Sequence, residues 1–74
     1  MKFRVYESSF NVHYKYVVEV SLTGVNYRHD TELLNEIGEW CNEQFSDRAR
    51  VSGGRYFYGF KYEEDRNWFL LRWS

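Results

Sequence analysis

Asp30-Thr31-Glu32-Leu33-Leu34-Asn35-Glu36-Ile37-Gly38-Glu39-Trp40-Cys41-Asn42-Glu43-Gln44-Phe45 differs in period from everything around it. Projected on a helix, Leu33, Leu34, Ile37, Trp40, Cys41, Gln44 and Phe45 share one arc, and Glu32, Asn35, Glu36, Glu39, Asn42 and Glu43 lie opposite. The spacing predicts an amphipathic helix over 30–45 whose apolar arc needs a sheet to cover. Asp30 or Thr31 is expected to accept hydrogen bonds from the free amides of the first turn, where Asp30 and Glu32 also suit the positive dipole end. Gly38 costs about 1 kcal/mol relative to Ala. It sits at the edge of the apolar arc, so a strand or ring is expected close against it.

Outward from the helix the period falls to two. Val12, Tyr14, Tyr16, Val18, Val20 and Leu22 alternate with His13, Lys15, Val17, Glu19 and Ser21, the pattern of a half-buried strand. Before it, Phe3 and Val5 alternate with Lys2, Arg4 and Tyr6, and Ser8-Ser9-Phe10-Asn11 supplies a polar turn, which makes a first hairpin. After the helix, 46–54 reads as a polar connection broken by Gly53-Gly54. A second hairpin follows, with strands over 55–62 and 67–73 around Glu63-Glu64-Asp65-Arg66. Tyr56, Tyr58, Phe60 and Tyr62 share one face of its first strand, and Gly59 is a place where a bulge would swap the faces beyond it. In its second strand Phe69, Leu71 and Trp73 oppose Trp68, Leu70 and Arg72. The expectation is one α+β domain over 1–74 in the order β-β-α-β-β, an antiparallel four-stranded sheet of two hairpins with the helix on one face.

A domain of 74 residues with one cysteine has no intramolecular disulfide to support it. Its sixteen aromatic residues, seven Tyr, six Phe and three Trp, are the substitute, because each buries a large area in one step. Nothing in the chain reads as a signal peptide or a membrane span, and the lone cysteine suits a reducing compartment. The reading is a soluble cytoplasmic protein without membrane contact.

Catalysis has little to stand on in these residues. His13 falls on the outward side of a strand, His29 just before the helix and Cys41 within the helix's apolar arc, where a thiol is buried and inert. The paired spacings of zinc sites are missing, so neither a metal nor another cofactor is expected. Glu63, Glu64 and Asp65, read as a turn, would be hydrated carboxylates of ordinary acidity rather than a tuned acid and base. The expectation is therefore a protein that is not an enzyme and acts by binding.

The charges are sorted along the chain. Between Asp30 and Asp47 there are six acidic residues and no Lys or Arg, and the basic residues flank this stretch, so a net charge of -1 conceals an acidic and a basic side. Glu32/Glu36 and Glu39/Glu43 are like-charge pairs at i,i+4, each mildly destabilising, and they form a stripe that suits a partner with a basic surface. The outward sheet face, expected to carry Phe57, Trp68 and Leu70, is the second candidate, as an interface with a protein partner or with a second copy of this chain. The leading reading is a protein-binding module using Glu32, Glu36, Glu39 and Glu43, or Phe57, Trp68 and Leu70. In size and general character the chain resembles the small accessory proteins with which bacteriophages block host machinery, which implies an inhibitor of a nucleic-acid-handling protein. The alternative is a single-stranded nucleic-acid-binding domain whose basic and aromatic face is built from Arg4, Lys15, Arg55, Phe57, Lys61 and Trp68. Arg48, Arg50 and Arg55, just beyond the helix, complement its dipole by default and would extend that basic face if they met phosphate.

Overall fold

The computed structural model describes residues 1–10, 12–22 and 27–74, with Tyr27 described by its backbone alone. Asn11, assigned above to the first turn, lies outside the described residues. The chain runs β1 (Lys2–Glu7), β2 (Tyr16–Ser21), α1 (Tyr27–Phe45), a short 3-10 turn (Ser46–Arg48), β3 (Ala49–Ser52), β4 (Phe57–Phe60) and α2 (Glu63–Trp73). The four strands form one antiparallel sheet in the order β1-β2-β4-β3. The fold is α+β, two hairpins with a helix between them, and a second helix closes the chain.

That second helix occupies the stretch read as the last strand. Trp68-Phe69-Leu70-Leu71 is an unbroken apolar run that fits either period, so alternation there carries no information. Local chemistry favours the helix: Glu63, Glu64 and Asp65 occupy its first turn, Arg72 its last, and 62–74 contains no Gly, Pro or β-branched residue. Packing completes the choice. Phe69 is fully buried, with its ring 5.0 Å from that of Tyr58, 5.4 Å from Phe60 and 6.3 Å from Phe3.

The second hairpin is therefore β3–β4, and the stretch read as a polar connection supplies one of its strands. Ala49 pairs with Phe60 and Val51 with Tyr58, so two small apolar residues of β3 face the helices while Arg50 and Ser52 face away. The turn needs Gly53: its φ is +59°, and a Cβ there would lie 2.6 Å from the Phe57 ring. Tyr58 and Phe60 are fully buried, on the face assigned from the alternation, and the register runs through Gly59 without a bulge.

β2 is shorter than its alternation. Its register with β1 runs from Lys2↔Ser21 to Glu7↔Tyr16, one more bond from the Ser8 N–H to the Lys15 carbonyl at 2.7 Å closes the hairpin, and Val12 beyond it is exposed. α1 begins three residues before Asp30, which places Asp30, now buried, inside the first turn rather than at a cap. Val18 and Val20 from the sheet, Leu34, Ile37, Cys41 and Phe45 from α1, and Phe69 from α2 join Tyr58 and Phe60 in a single core. Both helices thus cover one face of the sheet, and the other face is open.

Candidate binding surfaces

The acidic stripe lies on the outer side of the helical layer. Glu32, Glu36, Glu39 and Glu43 are all exposed. Trp40 follows Glu36 by four residues and precedes Glu43 by three, so both carboxylates flank its turn of the helix. On its other side Trp40 meets α2: its ring packs edge-on against Trp68 at 6.0 Å and Trp73 at 5.8 Å. Trp68 also touches Phe45, at 5.6 Å, yet stays 48% exposed. One turn further along α2, Leu71 is 85% exposed. The carboxylates and a half-open tryptophan pair are thus parts of one surface.

This placement corrects the expected sheet-face interface. Phe57 and Trp68 do not share a face: Phe57 is on the open side of the sheet and Trp68 on α2, beyond the other side. Leu70 is half-buried against the core, and its neighbour Leu71 is the exposed one, because the helical period replaces alternation. Leu71 was missed for the same reason.

On the open face, β2, β3 and β4 present Val17, Glu19, Arg50, Ser52, Phe57 and Gly59, and β1 adds Arg4 and Tyr6. A depression of about 200 Å³ lies here, floored by Val17 and Gly59 and walled by Ser8, Tyr14, Arg50, Ser52 and Phe57. Tyr14 defines one wall from outside the sheet. Its hydroxyl donates to the Asp47 carbonyl at 2.9 Å, and a Cβ on Gly59 would lie 2.9 Å from its own Cβ, so the missing side chain at 59 is what lets Tyr14 cross.

Of the six residues assigned to nucleic acid, Arg4 and Phe57 are on this face, and Lys61 reaches its margin with its ammonium 5.7 Å from the Tyr14 ring. Lys15 turns to the ring of Tyr16, which Arg66 of α2 also covers. Arg55 crosses to α1, where it donates to Asn35 Oδ1 and lies against Gly38, 2.8 Å from where a Cβ would stand. Gly38 therefore accommodates an arginine rather than the strand or ring expected. Trp68 belongs to the helical layer. Arg50 enters in their place, and its guanidinium makes no ion pair or hydrogen bond with any described residue. Arg48 does complement the helix dipole, donating to the carbonyls of Gln44 and Phe45.

The remaining chemistry-bearing groups belong to the interior or to solvent. Cys41 is fully buried, and burial first, then the charge of Asp65, pushes its thiol up to about 12. Tyr58 is shifted upward as well, by burial and then by Cys41, with Arg55 opposing. Asp65 is not the hydrated turn residue expected: α2 buries it, with Oδ2 3.8 Å from Arg48. Among the described residues no three His, Cys, Asp or Glu side chains converge, and no helix is long and apolar enough to cross a membrane. No protein-family model matches the chain, nor does any curated protein or solved structure.

Proposed function

We propose that this protein is a non-enzymatic protein-binding module that docks through the acidic and aromatic surface of its helical layer onto a basic surface of another protein, as an inhibitor of a nucleic-acid-handling protein of the phage type would. The observation that carries the reading is that exposed carboxylates of α1, with Glu36 and Glu43 nearest, flank Trp40, whose ring packs on the half-exposed Trp68. The like-charge pairs at i,i+4 each cost the helix a few tenths of a kcal/mol, about 0.2–0.5. Carboxylates steer a basic partner and set the association rate. A half-exposed indole beside them offers a π face to an arginine or lysine delivered there, and aromatic anchors of this kind dominate interface energy.

The test is capture of partners from a host lysate by the immobilised protein, run in parallel with E36K/E39K and Trp68→Ala, each checked for an unchanged circular dichroism spectrum. The same protein should elute from the wild type on raising salt, be lost with the charge reversal and be weakened with Trp68→Ala. Capture that both variants retain would overturn the assignment of this surface.

A further inference from the structure

The depression on the opposite side of the sheet has chemistry the helical surface lacks. Gly59 leaves its floor without a side chain between Val17 and Arg50, while Tyr14 and Phe57 stand at its walls and Ser52 contributes a hydroxyl. Arg48, Arg55 and Arg66 are each held by hydrogen bonds within the protein, whereas Arg50 is exposed and makes no hydrogen bond or ion pair with any described residue. We infer that this depression is a binding site for one nucleotide unit of a single-stranded nucleic acid, with the base against Phe57 and the phosphate at Arg50.

Three observations lead there. A volume of about 200 Å³ has room for one planar base, and the bases of a duplex are stacked and unavailable to it. A ring wall beside a free guanidinium, with a hydroxyl at hand, is the pairing that stacks a base and neutralises its phosphate. Positive charge also continues beyond the depression, to Arg4 in β1 and to Lys61 behind Tyr14, as a strand backbone requires and a lone nucleotide does not. Glu19, opposite Arg4 and Phe57 in register, is the acid on this face and offsets part of that charge. The site is independent of the helical surface, because the sheet separates them.

Fluorescence anisotropy with a labelled oligothymidylate of about twelve nucleotides, at low and near-physiological salt, tests the inference. Arg50→Ala and Phe57→Ala are each expected to weaken binding about tenfold, and Arg50→Ala alone to reduce the salt slope by about 0.7, the loss of one phosphate contact on a single strand. Both side chains are exposed, and a cooperative melting transition well above the assay temperature confirms that the variants fold. E36K/E39K should bind at least as well as the wild type, which keeps this test separate from that of the helical surface. An absence of binding at low salt, affinity unchanged in both alanine variants, equal affinity for a duplex of the same length, or displacement by free thymidine monophosphate at the concentration of the strand would each overturn it.

Discussion

Tyr58 and Phe57 are adjacent in β4 and lead opposite lives. Tyr58 is fully buried against Phe69, while Phe57 is 36% exposed on the open face beside Arg50. The helix side of the sheet holds the ring contacts that replace a disulfide in a small chain, and its outer layer carries the carboxylates. The open side holds a glycine floor with Arg4, Arg50 and, at its margin, Lys61. The difference teaches that period-two alternation divides the strand here: even positions of β4 build the core and odd positions face the open side.

Mutations can break that division where it is steepest. Phe69→Ala removes the ring shared by Phe3, Trp40, Tyr58 and Phe60 and should cost about 3–5 kcal/mol in urea unfolding, enough to unfold a domain of this size. Phe57→Ala, on the other side, should cost less than about 1 kcal/mol in the same titration. Equal losses would mean that the open face is part of the core.

Gly53→Ala should cost about 1–3 kcal/mol, because an alanine at positive φ would be strained and would also press on the Phe57 ring. The melting temperature reads that loss.

The interior also sets the alkaline limit. The Cys41 thiol is pushed up from 9.0 to about 12. Below about pH 9 it is protonated whether the chain is folded or not. Above that the unfolded thiol ionises while the buried one holds its proton, so stability falls as pH rises, by up to about 1.4 kcal/mol per pH unit. Tyr58, also shifted upward, acts in the same direction at higher pH. Unfolding midpoints between pH 8.5 and 11 should therefore decline, and decline less in Cys41→Ala. The same burial predicts slow thiol labelling in the native protein that becomes fast in denaturant.

The smallest effect is expected on the stripe itself. Glu36→Gln relieves one like-charge pair, about 0.2–0.5 kcal/mol, and should raise the melting temperature by about 1–4 °C. A large loss would mean that Glu36 makes a structural contact, which would count against a free docking surface.

How much of this was legible in the sequence follows from the length of each signal. α1 was, because a 3.6-residue period sustained from Leu33 to Phe45 has no competing reading, and the face of β4 was, because Tyr56, Tyr58 and Phe60 alternate cleanly. β3 was not: four residues with two small apolar side chains are strand only because Tyr58 and Phe60 lie opposite. α2 was not, since its four consecutive apolar residues carry no period and its acidic start reads equally as a turn. The stripe was visible as a charge pattern, but its adjacency to Trp68 depends on that unrecognised helix. The depression depends on Tyr14 reaching Gly59 and Asp47, contacts more than thirty residues apart in sequence, and no local pattern encodes them.

The most direct test of two chemically opposed faces is a map of backbone amide and indole NMR shifts during separate titrations with an arginine-rich peptide and with oligothymidylate. The peptide should move amides within 32–43 and the Trp68 indole, and the oligonucleotide those of 14–17, 50–52 and 57–59. Shifts from both titrants on the same residues, or none from either, would contradict the account.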